Sequence, residues 1–201
     1  MTALGANAVT AVILAGGMGK RMGGVDKGQV KLNNKPLIEW VIEAIRPQVS
    51  HILINANRSH DAYARYGFPV LRDQLSDYQG PLAGFAAGMQ AASTTHIVTV
   101  PCDGPLLPPD LVERLIHALE SQQADIAVAH DGERLQPVYA LIPVSLLTSL
   151  NAFLASNDRK IDRWYAQQRM ALADFSDVPS TFLNVNTPED RERLEHAGIS
   201  A

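Results

Sequence analysis

Apolar residues along this chain fall into two patterns, and each pattern predicts one kind of element. Short apolar runs rich in β-branched residues are typical of buried strands, and we place strands at 9–15, 51–55, 69–72, 97–100, 126–128, 137–142 and 182–185. Most intervening segments have apolar residues three and four positions apart, which predicts helices. We place these at 36–46, 61–66, 81–92, 109–120, 144–155 and 159–168, and a last helix after Thr187.

Alternating strands and helices predict an α/β fold of three layers, in which helices cover both faces of a mostly parallel sheet. The alternation changes after residue 130, where only Asp131-Gly132-Glu133-Arg134 separates two predicted strands. Such a short connection is typical of a hairpin, so we expect at least one antiparallel strand. With 201 residues, the chain suits one domain with its own core. We therefore expect a single domain over 1–201, with residues 1–8 flexible.

The first predicted strand leads into a glycine-rich segment. Five glycines occupy the nine positions 16–24, Lys20 and Arg21 lie among them, and Lys27 follows. Backbone N–H groups of such a segment can approach a polyphosphate closely. A P-loop would need Gly-Lys-Ser or Gly-Lys-Thr, which does not occur, and Met22 stands where the dinucleotide-binding motif requires glycine. A plain surface loop is the alternative, but the interleaved cations favour phosphate binding.

Polar residues follow several predicted strands: Asn55, Asp73, Asp103 and Asn186. In sheets of this kind, ligands bind beyond the carboxyl ends of the strands, so we expect these residues along one rim. Asp103 is the type of ligand that Mg²⁺ takes together with phosphate oxygens, although aspartate also favours turns before Gly-Pro. The Asp73 carboxylate can accept both N1–H and the 2-amino group of guanine. A surface ion pair with Arg72 is the alternative for Asp73.

Charge and composition limit which partners and which cell compartment suit this chain. A net charge of -4 argues against a protein that grips nucleic acid through its phosphates. Cys102 is the single cysteine, so no intrachain disulfide can form, which favours a reducing compartment. No Lys or Arg precedes the apolar run 9–15, as a secretory signal would require, and no run has the length of a membrane span. We expect a cytoplasmic protein with neither nucleic acid nor membrane as partner.

Six blocks of sequence carry a resemblance that extends over almost the whole chain. They are Leu14-Ala15-Gly16-Gly17, Arg21-Met22-Gly23-Gly24 with Asp26-Lys27-Gly28, Asn55-Ala56-Asn57-Arg58, Gly80-Pro81-Leu82-Ala83-Gly84, Pro101-Cys102-Asp103 and Asn184-Val185-Asn186-Thr187-Pro188. Together they resemble the molybdenum cofactor guanylyltransferases within the nucleotidyltransferase superfamily. The resemblance implies a Rossmann-like nucleotidyltransferase domain. It also implies transfer of GMP from GTP to the phosphate of molybdenum-molybdopterin, release of pyrophosphate and formation of the guanine dinucleotide cofactor.

The resemblance also implies roles for individual residues. Catalytic roles fall on Arg21, Lys27 and Asp103, and Asp103 also carries Mg²⁺, the implied cofactor. Nucleotide contacts fall on Leu14, Ala15, Gly16, Gly17, Lys27, Asn55, Asp73, Gly84 and Asp103. Contacts with the molybdopterin-type acceptor are implied for Asn184, Asn186 and Thr187. The alternative is that these residues only form a strand-to-helix turn with a threonine cap. Because enzymes of this family pass their product to molybdoenzymes, the resemblance also implies molybdoenzymes or their chaperones as partners.

Two other functions stay open. The first is a related nucleotidyltransferase that uses CTP or a sugar phosphate; Leu14 and Asp26 favour GTP, because cytidylyl relatives tend to show Thr and Asn there. The second is a non-catalytic nucleotide-binding protein, against which the intact set of Lys27, Asp73 and Asp103 argues. Two further features are undecided. Arg159 and Lys160 could attract an anionic acceptor or simply begin a solvated helix, and Gly104 stands where close relatives are expected to have Thr.

Overall fold

A sheet of seven strands lies in the middle of the molecule. The computed structural model describes residues 4–16, 25–73 and 80–197. The strands in these residues are β1 (Val9–Leu14), β2 (Lys31–Leu32), β3 (Lys35–Pro36), β4 (His51–Asn55), β5 (Val70–Leu71), β6 (His96–Pro101), β7 (Ile126–His130), β8 (Leu135–Pro143) and β9 (Met170–Asp174). The large sheet has the order β5-β4-β1-β6-β8-β7-β9, and β2 and β3 form a separate hairpin.

The large sheet is parallel except for one strand. Strand β1 pairs in parallel with β4 on one side and with β6 on the other. Strand β8 is antiparallel to both of its neighbours, β6 and β7, whereas β9 is parallel to β7. The expected hairpin between β7 and β8 is confirmed, and so is the mostly parallel sheet with an antiparallel member.

Helices cover both faces of the sheet, which confirms the three layers. The helices in the described residues are α1 (Leu37–Ile45), α2 (His60–Ala64), α3 (Pro81–Ala91), α4 (Leu111–Ser121), α5 (Leu147–Ala155), α6 (Ile161–Tyr165) and α7 (Pro188–His196). Buried residues of α1, α2 and α4 share one apolar core with Ile13, and buried residues of α3, α5 and α6 share another with Val12. Side chains of a strand alternate between faces, so adjacent residues of β1 enter different cores. No helix in these parts of the chain is apolar over a membrane-spanning length.

The predicted strand at 182–185 is wrong. Phe182 ends a short 3-10 turn, and its ring packs edge-on against Tyr139 and Phe175, while Val185 is buried in a third small cluster. These apolar residues fill cores from an irregular segment. The last strand is instead β9, which the prediction missed because its buried positions are the small residues Ala171 and Ala173. The helix expected at 159–168 is shorter, Ile161–Tyr165.

Helix α3 packs against the sheet through glycines, which leave no room for a side chain. A Cβ atom at Gly88 would lie 2.5 Å from Cγ2 and 2.9 Å from Cγ1 of Val12 on β1. Valine is stiff at its χ1 angle, and its backbone belongs to a strand paired on both sides. The small-residue character of this helix therefore sets the distance between α3 and the sheet, as the sequence indicated.

We predict that Gly88→Ala destabilises the protein. Overpacking costs about 1–3 kcal/mol, and the better helix propensity of alanine returns no more than about 1 kcal/mol. Urea unfolding measures the difference in the free energy of unfolding. Gly5→Ala is the control, because a Cβ there meets nothing within 4 Å. Equal stability of Gly88→Ala and the parent chain would contradict the close packing.

Candidate active site

A cleft of about 490 Å³ opens at the carboxyl ends of the parallel strands. The ends of β1, β4 and β6, the residue Asp73 after β5 and the start of α3 contribute to its walls. Asn184 and Asn186 line another side. The expectation that polar residues after the strands meet along one rim is therefore confirmed for Asn55, Asp73 and Asp103. Asn186 also lines the cleft, but it arrives from an irregular segment rather than from a strand.

At one end of the cleft, Lys27 links three segments of the chain. Its Nζ atom donates to Oδ2 of Asp103 at 2.8 Å and to Oδ1 of Asn186 at 2.5 Å. Lys27 begins a 3-10 turn, Asp103 follows β6, and the peptide N–H of Val185 donates to the Asp103 carbonyl at 2.8 Å. The ammonium and the carboxylate keep 22% and 11% of their side-chain surface exposed. A ligand in the cleft can therefore reach both charges.

The donor set beside Lys27 fits a magnesium ion that arrives with phosphates. Mg²⁺ usually takes one or two carboxylates, keeps several waters and completes its shell with substrate phosphate oxygens. Asp103 supplies a carboxylate, and the Asn186 amide oxygen lies nearby, since both accept from the Lys27 ammonium. The described residues contain no group of three or more His, Cys, Asp or Glu that could hold a metal by themselves. Any metal bound by Asp103 would therefore need further ligands, such as water or the phosphate oxygens of a substrate.

At the other end of the cleft, two asparagine amides hold Asp73. Asn55 Nδ2 donates to Oδ1 of Asp73 at 2.9 Å, and Asn57 Nδ2 donates to Oδ2 at 2.7 Å. The Asp73 peptide N–H donates back to Oδ1 of Asn57 at 2.9 Å. The suggested surface pair between Arg72 and Asp73 does not form; Arg72 Nε donates to His60 Nε2 instead, at 2.9 Å. Because an ionised carboxylate has about four lone-pair sites, Asp73 keeps room for further donors.

The remaining nucleotide candidates surround these amides. Leu14 and Gly16 line the cleft, and Ala15 is buried, with its peptide N–H donating to the Asn55 carbonyl at 2.7 Å. Gly84 lies behind Asn55 rather than on the cleft wall, since a Cβ there would stand 2.5 Å from Asn55 Oδ1. The candidates Gly17 and Arg21 lie outside the described residues.

The acceptor candidates differ in their surroundings. Asn184 lines the cleft, and its Oδ1 accepts the hydroxyl of Tyr139 at 3.3 Å. A Cβ at Gly104 would lie 2.2 Å from that same hydroxyl, which explains why glycine stands here in place of the expected Thr. Thr187 caps α7: its Oγ1 accepts the Asp190 peptide N–H at 3.1 Å, in a reciprocal capping box.

The Asp190 carboxylate of this box also accepts the peptide N–H of Asn186, at 3.1 Å. The cap therefore fixes the segment that carries Asn186 into the cleft. Arg159 and Lys160 are placed by a different turn. The Asp158 carboxylate accepts both of their peptide N–H groups, and Arg159 Nη1 donates to the carbonyl of Leu154 at 2.6 Å. These bonds favour the helix-start interpretation of the two cations.

Three residues of the site had no assigned role in the sequence. Asn57 belongs to the recognised block at 55–58, so the Asn-x-Asn spacing was a signal that could have indicated it. Tyr139 lies inside a strand and belongs to no motif, and Gly104 was noted without a role. The Cys102 thiol beside Asp103 is buried. Burial, followed by the neighbouring Asp103 charge, raises the pKa of this thiol well above its ordinary value, so it stays protonated.

Comparisons with known proteins identify the family. The model of the MobA-like NTP transferase domain matches residues 11–173. A molybdenum cofactor guanylyltransferase of Shewanella sp. (strain ANA-3) is 55% identical over 186 residues, which cover 92% of this chain and 94% of that protein. Another, of Shewanella loihica (strain ATCC BAA-1088 / PV-4), is 51% identical over 189 residues, which cover 94% and 96%.

Solved structures add a likeness of fold. The crystal structure of molybdopterin-guanine dinucleotide biosynthesis protein A from Archaeoglobus fulgidus superposes with a TM-score of 0.79 at 24% identity, covering 94% of this chain and 98% of that one. A nucleotidyl transferase from Methanothermobacter thermautotroptrophicus gives a TM-score of 0.74 at 20% identity, covering 95% and 97%. The family model and the relatives each span most of the chain, and the chain belongs to the MobA-like NTP transferase family.

Proposed function

We propose that this protein transfers GMP from GTP to the phosphate of molybdenum-molybdopterin, releasing pyrophosphate and forming the molybdopterin guanine dinucleotide cofactor. Family membership supports it, together with the relatives named molybdenum cofactor guanylyltransferase. The observation that carries it is the cleft itself. One end presents the paired charges of Lys27 and Asp103, and the other presents the amide-held carboxylate of Asp73.

The carboxylate of Asp73 suits guanine. Guanine offers two neighbouring donors, N1–H and the 2-amino group, and one carboxylate can accept both. Adenine and cytosine cannot offer that pair. Asn55 and Asn57 each donate to one oxygen of Asp73, so the carboxylate plane is fixed before the base arrives. A fixed acceptor pair costs less ordering on binding than a mobile one.

The charges at the other end suit the phosphates. The acceptor is a phosphate monoester with a second pKa of roughly 6, so it is largely ionised at neutral pH and needs no strong general base. The protein must instead hold the acceptor phosphate in line with the α-phosphorus and neutralise charge. Lys27 supplies an ammonium that is now shared between Asp103 and Asn186 and can turn towards phosphate oxygens. Arg21 on the leaving pyrophosphate stays a prediction.

Asp103 is the residue that would hold Mg²⁺, with the Asn186 amide oxygen as a second candidate ligand. The metal would supply positive charge at the phosphates, which Lys27 and the backbone N–H groups of the glycine-rich segment supplement. Asp103 stays at this point because the peptide N–H of Val185 fastens its carbonyl, at 2.8 Å.

The acceptor would meet amide donors. Asn184 and Asn186 each have Oδ1 engaged, by the Tyr139 hydroxyl and by the Lys27 ammonium. Their Nδ2 groups are then left to donate, which suits the anionic phosphate of a molybdopterin-type acceptor. Thr187 contributes by fixing this segment through its cap. The cytoplasmic location and the delivery to molybdoenzymes or their chaperones stay predictions.

We predict that GTP stabilises the protein against heat and that Asp73→Asn loses this effect. GTP with Mg²⁺ at a hundredfold its dissociation constant should add about 2.7 kcal/mol, or roughly 5–10 °C in a chain of this size. In Asp73→Asn, an amide N–H₂ replaces one acceptor and faces a donor of Asn55 or Asn57. A thermal-shift series with GTP, CTP, ATP and UTP measures both effects.

Asp61→Asn, an exposed aspartate on α2, is the matched control and should keep the full GTP shift. A thermal shift with CTP but not with GTP would indicate a related nucleotidyltransferase that uses CTP. It would also contradict the assignment of Asp73 as the guanine contact. A GTP shift without pyrophosphate release in the presence of acceptor would favour a non-catalytic nucleotide-binding protein.

We predict that Gly84→Ala weakens GTP binding about tenfold or more, which corresponds to 1.4 kcal/mol or more. The new Cβ would lie 2.5 Å from Asn55 Oδ1 and 2.7 Å from Leu14 Cδ2, so it displaces the amide that holds Asp73. Isothermal titration calorimetry gives the dissociation constant. Gly88→Ala, one turn further along α3, overpacks Val12 instead and should leave GTP affinity nearly unchanged. Equal weakening of GTP binding by both variants would contradict the claim that the contact with Asn55 is what matters.

A further inference from the structure

Asp26 is a buried carboxylate to which nothing above gives a role. It precedes Lys27 and stands at the N-terminal cap of the 3-10 turn Lys27–Gln29, where an aspartate side chain commonly caps a peptide N–H. Here the side chain makes no cap bond, and only the Asp26 carbonyl accepts the Gln29 peptide N–H, at 3.0 Å. The side chain is 10% exposed. Burying a carboxylate is costly unless donors or a cation compensate, so this position calls for a reason.

The donor to Asp26 comes from α2. The hydroxyl of Tyr63, a fully buried side chain, donates to Asp26 Oδ1. Gly28 leaves room for this approach, because a Cβ there would stand 2.5 Å from the Tyr63 oxygen. Burial, together with the hydrogen bond to the Asp26 carboxylate, raises the pKa of the Tyr63 hydroxyl far above its ordinary value. The hydroxyl is therefore a donor at neutral pH.

Arg58, which follows the segment that holds Asp73, also contacts the backbone directly before Asp26. Its Nη2 donates to the Val25 carbonyl at 3.2 Å, and its Nε lies 4.0 Å from Asp26 Oδ2. Asp26 Oδ2 accepts no hydrogen bond from the described residues. Arg58 follows Asn57, whose amide holds Asp73. The segment 57–58 therefore contacts both Asp73 and the backbone of Val25, directly before Asp26.

Adjacent residues thus have separate partners. Asp26 accepts the Tyr63 hydroxyl and lies 4.0 Å from the Arg58 guanidinium, whereas Lys27 reaches Asp103 and Asn186. A lysine ammonium sits on a flexible four-carbon stem, so its position depends on how well its own backbone is fixed. The bonds to Asp26 fix that backbone without occupying any group in the cleft.

We propose that Asp26, held by Tyr63 and Arg58, is a positioning residue that fixes the backbone from which Lys27 reaches the phosphate end of the cleft. The inference rests on the proposed function for the task of Lys27. The alternative is a merely structural bond, which would stabilise the fold without acting through Lys27.

The chain supplies a matched control for this distinction. Tyr66, three residues after Tyr63, also donates its hydroxyl to a carboxylate, Glu39 on α1, at 3.1 Å. Neither residue of that pair lines the cleft. Both tyrosine hydroxyls also meet the side chain of Gln29, at the end of the turn that Lys27 begins. Tyr63→Phe and Tyr66→Phe therefore remove hydroxyls with similar surroundings, but only Tyr63 donates to Asp26, the residue next to the lysine.

The test is a double-mutant cycle with Lys27→Ala, measured as the GTP dissociation constant and as the single-turnover rate of GMP transfer. We expect Tyr63→Phe to lower transfer per GTP bound about tenfold in the Lys27 background and by less than about twofold in the Lys27→Ala background. Tyr66→Phe should change neither quantity by more than about twofold in either background. Asp26→Ala gives the same comparison from the carboxylate side, should Tyr63→Phe fail to fold.

The outcomes separate the two levels of the hypothesis. Equal losses from Tyr63→Phe in both backgrounds, or a lower melting temperature with unchanged transfer, would overturn the positioning role and leave the proposed function intact. A parent chain that neither binds GTP nor transfers GMP would overturn the proposed function, and the task of Asp26 with it.

Discussion

The ion pair between Lys27 and Asp103, extended to Asn186, is the interaction on which the site depends. Asp103 lies 76 positions after Lys27 in the chain, and Asn186 lies 159 positions after it. A partly buried ion pair is weak evidence for stability, because desolvation offsets much of the attraction. Its value here is placement: a cation and an anion are held together at the carboxyl end of the sheet, and each neutralises the other.

The fold supplies the distances that this pair and its counterpart need. Parallel pairing of β1 with β4 and β6 brings the ends of three strands to one rim. Gly84 and Gly88 let α3 approach the back of that rim, and the first of them leaves space for the Asn55 amide. The Asp73 end and the Lys27 end of the cleft are thus set by the same sheet. Tyr63 and Arg58 then fasten the segment that carries Lys27.

The sequence predicted those parts of the site that follow buried strands, and missed those that depend on tertiary contacts. Asn55, Asp73 and Asp103 could be placed because apolar runs of recognisable length precede them. The segment 182–185 has the same local pattern, yet its apolar residues fill cores without pairing. Strand β9 buries two alanines and so gives too weak a hydrophobic signal. Tyr63 and Tyr139 act through single hydroxyls on distant residues, and no local pattern encodes such a contact.

The measurement that tests the central claim most directly is transfer of the α-phosphate of GTP. The purified protein, and its Asp103→Asn variant, are incubated with Mg²⁺, molybdenum-molybdopterin and GTP labelled at the α-phosphate, and the label in the dinucleotide product is counted. We predict label in molybdopterin guanine dinucleotide, one per pyrophosphate released, and a loss on the order of 10²-fold or more in Asp103→Asn. Label that stays in GTP with the parent protein, or near-parental transfer by Asp103→Asn, would contradict the assignment of this cleft.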